Sequence, residues 1–318
     1  MISFGSEASR RMWRDRLELR VLPVVAPTGN PLDSVSGDII EALEDVDLVH
    51  VHQAFTRSSQ VSILAAKFLG LPVCVSDHGG RTNHLDRVAP YMDMVDLFLS
   101  YSRCGQARIS TARPSVLVPG GVDTDEFTPG QVPAAREYIL FVGRLLRHKG
   151  IDRLISAVPV DMPLVICGRP TDPDYFGYLR AISRVRNTRF VLDADDDDTR
   201  DLYRRAWATV LPSVHLDAWG NVYPFPELMG LAMLESMACG TPAIVSTAGA
   251  LPEFVLEGET GFIFSSLREL RSRCTQLATT AGLADEMGAR AREVCQREYS
   301  LEPVGAAVWD AYMKVADS

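Results

Sequence analysis

The chain has 318 residues, of which 47% are hydrophobic and 23% are charged, an ordinary composition for a globular protein. Its 32 Lys and Arg against 41 Asp and Glu give a net charge of −9, which argues against a general affinity for nucleic acid. This length predicts two domains, each large enough to bury its own core.

The cysteines and the apolar segments indicate the cell compartment. The six cysteines form no C-x-x-C pair and mostly lie in apolar runs, so we expect reduced thiols in a cytoplasmic protein and no structural zinc. No apolar stretch reaches the length of a membrane span, and the arginines crowded into residues 10–16 are not typical of a signal peptide. A peripheral contact with a membrane surface stays open.

Short apolar runs alternate with helical patterns through the first 120 residues. We predict strands over 47–51, 72–76, 96–100 and 115–118, with a helix over 58–69 that Gly70 and Pro72 end. Strand, helix and strand in this order predict right-handed βαβ units and a parallel sheet. The polar segment 123–137 predicts the crossing between two domains.

The same alternation restarts after that segment. We predict strands over 138–142, 164–167, 190–192, 207–211 and 243–246. Helices are expected from about residues 150, 199 and 230, then over 268–297 and 301–315. The whole pattern is α/β and favours two doubly wound halves.

A glycine and two basic residues follow the strand at 138–142, in the segment YILFVGRLLRHKG. Gly143 lets the backbone approach a ligand closely, Arg144 offers a planar donor fork, and Lys149 adds a mobile charge. Gly168 ends the next strand in the same way. These residues suit a diphosphate at the carboxyl edge of a parallel sheet. The alternative is a solvated basic turn.

The segment 226–242, PELMGLAMLESMACGTP, is the most specific signal in the chain. A helix that begins near Gly230 presents free N–H groups and a partial positive charge to an anion. Its surface is apolar nearly all round, which predicts burial, and a glutamate in a buried helix needs a partner. Glu235, inside this helix, suits the two hydroxyls of a ribose, and Glu227 precedes the helix.

These motifs resemble the glycosyltransferase group 1 family, which comprises retaining enzymes of the GT-B fold. The segments DLVHVHQ, PVCVSDHGG and CGTPAIVSTAGALPEFVLEGETGFIF carry the resemblance further, from about Asp45 to the C-terminus. It implies two doubly wound Rossmann-like domains that face a cleft. We expect an N-terminal domain over 1–130, a donor-binding domain over 131–300, and a C-terminal helix over 301–318 that packs back on the first.

The resemblance also implies roles for the donor-binding residues. Arg144 and Lys149 match the basic pair that binds the donor diphosphate. Glu235 matches the second glutamate of the E-x7-E motif, which holds the ribose. The backbone at Gly230 and Leu231 is implied to hold phosphate and sugar oxygens.

Two further residues are implied to act at the reacting centre. Glu227 matches the first glutamate of the motif, beside the transferred sugar, and His78 matches a histidine that faces the donor sugar. Without the resemblance, His78 reads as an ordinary loop histidine. The family generally needs no metal or other cofactor, so the acidic run 193–198 is interpreted as a solvated loop and helix start rather than a metal site.

The resemblance therefore predicts a transferase that moves a sugar from a nucleoside diphosphate sugar to an acceptor hydroxyl, with retention of configuration. The acceptor, whether glycan, lipid or small molecule, is not legible. The opening strand, glycine-rich loop and helix of the family are not recognised in the first 25 residues, so we expect an incomplete first domain. Two alternatives stay open: a nucleotide-sugar-binding protein without catalysis, and another GT-B enzyme such as a sugar-nucleotide epimerase.

Overall fold

The computed structural model describes residues 1–13, 16–25, 33–79, 91–109, 111–131 and 135–316. The strands in these residues are β1 (Ile2–Gly5), β2 (Ser9–Trp13), β3 (Leu17–Pro23), β4 (Val49–His52), β5 (Val73–Ser76), β6 (Leu97–Ser100), β7 (Ser115–Leu117), β8 (Tyr138–Val142), β9 (Leu164–Cys167), β10 (Thr188–Val191), β11 (Ala206–Leu211), β12 (Ala243–Ser246) and β13 (Gly261–Phe264). The helices are α1 (Ile39–Ala42), α2 (Arg57–Phe68), α3 (Arg103–Arg108), α4 (Ile151–Ala157), α5 (Pro173–Ile182), α6 (Asp196–Arg204), α7 (Leu231–Ala238), α8 (Leu267–Thr279), α9 (Leu283–Glu298) and α10 (Leu301–Ala316).

The chain divides into two compact units. Unit 1 contains Met1–Tyr101, Gly105–Val118 and Ala306–Ser318, and unit 2 contains Ser102–Cys104 and Pro119–Gly305. Helices α3 and α10 each contribute residues to both units. No helix in the described ranges is both long enough and apolar enough to cross a membrane.

Unit 1 contains two separate sheets. The first has the strand order β1-β3-β2, in which β1 is parallel and β2 antiparallel to β3. The second has the order β4-β5-β6-β7, and every pair in it is parallel. Both sheets contribute to one hydrophobic core, in which Leu22 of β3 is buried together with Val49 of β4 and Val73 of β5.

Unit 2 is built on one parallel sheet with the order β10-β9-β8-β11-β12-β13. Alternate side chains of its strands enter different cores. Ile139 and Phe141 of β8 pack in a cluster that includes Leu154 of α4, whereas Tyr138 and Leu140 pack with α6. Helices therefore cover both faces, which is the doubly wound arrangement.

Helix starts in both units carry polar caps. The side chains of Thr56, Asp172, Asp195 and Ser266 each accept a hydrogen bond from a main-chain N–H in the first turn of α2, α5, α6 and α8. At Asp195 the bond is reciprocal, because Asp198 also accepts from the N–H of Asp195. Such caps stabilise a helix by about 0.5–2 kcal/mol each, and they fix where it begins.

The predicted element types agree with the structure, and strands 138–142, 164–167 and 243–246 have the predicted bounds. Two helix predictions were wrong in extent. Helix α6 begins at Asp196 rather than near residue 199, because Asp195 caps it. The helix predicted over 268–297 is two helices, α8 and α9, since Thr280 is extended and Gly282 is left-handed.

Candidate functional site

The carboxyl ends of β8 and β9 approach each other through two glycines. Gly143 and Gly168 have φ values of 150° and 146°. A Cβ on Gly168 would lie 1.8 Å from the carbonyl oxygen of Gly143, so only glycine fits there. The N–H of Gly143 donates to the carbonyl of Cys167 at 3.0 Å. The carboxyl edge of the sheet therefore exposes backbone without side chains where β8 leads into the basic turn, residues 144–149.

Of the three cationic side chains in the basic turn 144–149, Arg144 and Lys149 differ in their partners. The side chain of Arg144 is exposed, and among the described residues it has no hydrogen-bonding or ion-pair partner. Lys149 is instead paired, because its Nζ donates to Oε1 of Glu227 at 2.5 Å. These two side chains are only 18% and 9% exposed. Burial shields this ion pair from the water and salt that weaken surface pairs.

Glu227 is fixed by contacts on both its side chain and its backbone. The hydroxyl of Ser213 donates to the same Oε1 at 2.8 Å. The N–H of Ala250 donates to the carbonyl of Glu227 at 3.0 Å, and a Cβ on Gly249 would lie 2.3 Å from that carbonyl oxygen. Among the described residues the second carboxylate oxygen, Oε2, has no hydrogen-bond partner, so it can accept a further hydrogen bond.

Gly230 ends the loop that contains Glu227 and begins α7. Its φ is 97°, a left-handed conformation that favours glycine, and a Cβ there would lie 2.8 Å from Cδ2 of Leu251, which would have to shift. Leu231, the first helical residue, is 45% exposed, whereas Met233, Leu234 and most later residues of α7 are buried. The helix thus presents its N-terminal N–H groups at an accessible end.

Glu235 lies within α7 and has a tyrosine partner. The hydroxyl of Tyr203, on α6, donates to Oε2 of Glu235 at 2.7 Å. Burial raises the pKa of Glu235, and the hydrogen bond from Tyr203 opposes that rise. Burial also raises the pKa of Tyr203 well above its ordinary value, so this hydroxyl remains a donor. One carboxylate oxygen is therefore held by Tyr203, and the other is available.

The loop 214–226 lies against the basic turn. Asp217 holds this loop, since its carboxylate accepts from the N–H groups of Trp219 and Asn221 and from the Tyr223 hydroxyl. The indole of Trp219 lies under the guanidinium of Arg147, 4.3 Å from ring centre to Cζ. This cation–π contact holds the turn that carries Lys149.

His78 lies in unit 1, in a cluster of aromatic and imidazole rings. Its Nε2 is 2.9 Å from Nδ1 of His52, and the Tyr101 hydroxyl is 2.9 Å from its Nδ1. Burial, together with charge repulsion from His52, lowers the pKa of His78 to about 4. The imidazole is therefore neutral at pH 7.

Within unit 2 the structure places Lys149 against Glu227 and Gly143 against Gly168. Gly230 lies in the chain between Glu227 and Glu235, directly before α7. Sequence reasoning missed Ser213, Gly249 and Tyr203. Tyr203 follows Leu202 at the end of a largely acidic helix, and this apolar pair indicates core packing but gives no sign of the hydrogen bond to Glu235. In the described part of the chain no group of three His, Cys, Asp or Glu side chains is arranged to hold a metal ion.

The fold and this arrangement are typical of α/β proteins that bind a phosphorylated ligand at the carboxyl edge of a parallel sheet. A sequence model of the family described as "Glycosyl transferases group 1" matches residues 123–294, more than half of the chain. The chain belongs to this family.

Curated relatives carry two kinds of name. "Alpha-maltose-1-phosphate synthase" of Mycolicibacterium smegmatis is 26% identical over 63% of this chain and 57% of its own length. "D-inositol 3-phosphate glycosyltransferase" of Corynebacterium aurimucosum is 30% identical over 48% of this chain and 39% of its own length. The chain thus spans about half the length of these two relatives.

Solved structures show the same fold along almost the whole chain. Sucrose-phosphate synthase from Thermosynechococcus elongatus has a TM-score of 0.74 at 20% identity, covering 100% of this chain and 89% of that one. Anabaena HepE, solved in complex with UDP and glucose, has a TM-score of 0.75 at 15% identity, covering 93% and 86%. The fold is GT-B, with two Rossmann-like domains.

Proposed function

We propose that the chain is a retaining hexosyltransferase, which moves a sugar from a nucleoside diphosphate sugar to an acceptor hydroxyl. The observation that carries this proposal is the buried contact between Lys149 and Glu227, at 2.5 Å, directly before the open N-terminus of α7. A cation and a carboxylate fixed together serve the two halves of such a donor, because the diphosphate needs positive charge and the sugar hydroxyls need an acceptor.

The diphosphate has three sources of compensation in unit 2. Arg144 is exposed and unpaired among the described side chains, so its guanidinium is available for two parallel hydrogen bonds to phosphate oxygens. Lys149 adds a charge whose position Glu227 fixes. The backbone N–H groups at Gly230 and Leu231 complete the anion site, and Gly143 with Gly168 lets the ligand approach the sheet.

The remaining donor groups are assigned to the glutamates and the histidine. Glu235 keeps one oxygen free of Tyr203 and is assigned to the ribose hydroxyls. Glu227 keeps Oε2 for the transferred sugar, while Oε1 is held by Lys149 and Ser213. We also propose that His78 of unit 1, with its neutral imidazole, contacts the donor sugar, as the resemblance implies.

The reaction breaks the bond between the anomeric carbon and the diphosphate oxygen and forms a bond from that carbon to the acceptor oxygen. The acceptor proton leaves with the nucleoside diphosphate. Charge develops on the departing diphosphate, so fixed cations and N–H dipoles at that point lower the barrier. The protein supplies position and charge, and the proposal includes no metal or other cofactor.

Two comparisons support the donor class. HepE binds UDP and glucose, and the two relatives named above are a synthase and a glycosyltransferase of sugar or inositol phosphates. We therefore propose a nucleotide-sugar donor for this chain, in the cytoplasm. The acceptor is a hydroxyl of a glycan, a lipid or a small molecule.

A thermal-shift screen of UDP-, GDP- and ADP-sugars tests the donor, followed by NMR of the product from the donor that binds. A ligand at 100 times its Kd is expected to stabilise the fold by about 2.7 kcal/mol. The product is expected to keep the anomeric configuration of the donor. An inverted product, or an epimerised donor without transfer, would refute the proposed reaction, and no shift with any donor would refute the proposed site.

A further inference from the structure

Two connections of unit 2 meet at the edge of its sheet opposite to the candidate site. Residues 158–163 lead from α4 into β9, and residues 183–187 lead from α5 into β10. Because these strands are parallel to each other and to β8, both connections lie at the amino edge of the sheet. Gly143 and Gly168 of the candidate site follow β8 and β9 at the carboxyl edge.

Asn187 joins the two connections through hydrogen bonds. Its N–H donates to the carbonyl of Val160 at 3.1 Å, and its side-chain amide donates to the carbonyl of Asp161 at 3.3 Å. The guanidinium of Arg186 donates to the carbonyl of Val158 at 3.0 Å. These bonds hold the two connections together as one continuous surface.

Arginines surround this surface. Arg180 lies in the last turn of α5, and Arg271 of α8 donates to the carbonyl of Ala157 at 3.5 Å, directly before the first connection. Among the described residues no ion pair includes any of the four arginines of this surface, which are Arg180, Arg184, Arg186 and Arg271. Their positive charge is therefore available to a partner.

The local charge is opposite in sign to that of the whole chain. Asp161 is the one acidic residue in segments 158–163 and 180–188, which contain three arginines, whereas the whole chain has a net charge of −9. At physiological salt, charges separated by more than about 8 Å are largely screened from each other. A partner at the amino edge therefore meets the local positive charge.

Two exposed valines lie among these arginines. Val160 is 53% exposed, and Val185, which lies in the chain between Arg184 and Arg186, is 79% exposed. A single exposed apolar side chain is ordinary on a protein surface. Two valines on connections that share hydrogen bonds, with arginines beside them, form a surface that is apolar at its centre and cationic around it.

We propose that the amino-edge patch, made of residues 158–161, residues 180–186 and Arg271, binds an anionic lipid surface through both its arginines and its two valines. Lipid phosphates accept paired hydrogen bonds from guanidinium groups. Each arginine close to such a surface strengthens binding about fivefold. The valines enter the boundary between headgroups and acyl chains, where apolar side chains are removed from water.

A lipid surface fits this patch better than an acidic protein segment does. An acidic segment would pair with the arginines but would leave Val160 and Val185 without an apolar contact. A lipid surface offers charge and hydrocarbon at successive depths. Contact through the amino edge also leaves the carboxyl edge of unit 2 uncovered. This inference does not depend on the proposed function.

Vesicle sedimentation with the full chain tests the charge of the patch. The vesicles are phosphatidylcholine alone, or phosphatidylcholine with about 30% phosphatidylglycerol, at about 0.15 M salt. The test variant is Arg180→Gln with Arg184→Gln, since both side chains are exposed. The control variant, Arg290→Gln with Arg297→Gln, removes the same charge from exposed positions of α9.

Wild type is expected to bind the anionic vesicles at least about tenfold more tightly than the neutral ones. The test variant is expected to lose at least about tenfold in affinity for the anionic vesicles, while the control variant keeps the wild-type affinity. Equal binding of wild type to both vesicles, no binding to either, or equal losses in the two variants would overturn the proposal. Binding of soluble polyglutamate without binding of vesicles would also overturn it, because the partner would then be an acidic protein segment.

A second pair of variants tests the apolar centre of the patch. Val160→Ser with Val185→Ser is expected to weaken binding to the anionic vesicles by at least about fivefold, because less apolar surface leaves water. Val222→Ser is the control, since Val222 is a 70% exposed valine outside the patch, and it is expected to bind as wild type does. Wild-type affinity of the double valine variant, or an equal loss with Val222→Ser, would overturn the proposal.

Discussion

Among the described ion pairs of unit 2, Lys149 and Glu227 form the one in which the two side chains are most buried. Lys149 and Glu227 are both largely buried, and removal of either one leaves the other uncompensated at a cost of about 3–5 kcal/mol. A pair of neutral side chains of similar size avoids that cost. Substitution of both residues therefore separates the effect on ligand binding from the effect on folding.

Glu235 gives a pH-dependent prediction at the same scale. Burial raises its pKa above the ordinary value of 4.5, so the folded protein keeps the carboxyl proton to a higher pH than the unfolded chain does. This carboxyl therefore lowers the free energy of unfolding as the pH rises from 4.5 through its folded pKa. Glu235→Gln removes that dependence and keeps an oxygen that accepts from Tyr203.

The expected result is that Glu235→Gln gains stability relative to wild type between pH 4.5 and pH 8, while it loses about tenfold or more in nucleotide affinity at pH 8. Urea unfolding at the two pH values and calorimetric titration measure the two effects. If wild type instead gained stability relative to the variant as the pH rises, burial would not disfavour the ionised form of the Glu235 carboxyl.

At the scale of elements, the approach of β8 to β9 depends on two glycines that have no side-chain function. The prediction concerns Gly168→Ala, whose added Cβ would lie 1.8 Å from the carbonyl oxygen of Gly143 at a φ of 146°. The backbone must shift, so we expect a loss of at least about 3 kcal/mol in unfolding free energy, together with loss of nucleotide binding.

Gly177 provides the matched control for that substitution. It lies inside α5, and a Cβ there meets nothing within 4 Å. Gly177→Ala is expected to stabilise the protein by about 0.5–1 kcal/mol, because alanine favours the helix. Urea unfolding measures the free energy of unfolding of both variants, and we expect both to show the same dependence of that free energy on urea concentration. Equal stability of the two variants would mean that the Gly143–Gly168 approach is not required.

For the whole molecule, the sequence predicted those helices and strands that have a regular apolar pattern or end at a turn residue. The strand 138–142 and the helix after Gly230 follow directly from apolar runs and glycine. The break between α8 and α9 was missed, because Thr280 and Gly282 interrupt an otherwise continuous helical pattern. The division of unit 1 into two sheets was not predicted from the sequence, since strand pairing is a long-range property.

The candidate site was predictable to a different degree. Glu227 and Glu235 stand out because a glutamate within or directly before an apolar, buried helix requires a partner. Which partners they have could not be predicted, since Ser213 and Tyr203 come from other elements and resemble ordinary turn and core residues. The positions of charged residues in apolar segments therefore predict where a site lies. Its hydrogen bonds depend on tertiary packing and are not predicted by sequence.

We propose that unit 2 binds a nucleoside diphosphate through the Lys149 and Glu227 pair. Calorimetric titration with UDP, GDP and ADP tests it on wild type, on the double variant Lys149→Met with Glu227→Gln, and on Lys314→Met, an exposed lysine outside unit 2. We expect one nucleotide to bind wild type and Lys314→Met equally, and to bind the double variant at least about tenfold more weakly at an unchanged unfolding temperature. Equal affinity for the double variant, or no binding by wild type, would contradict it.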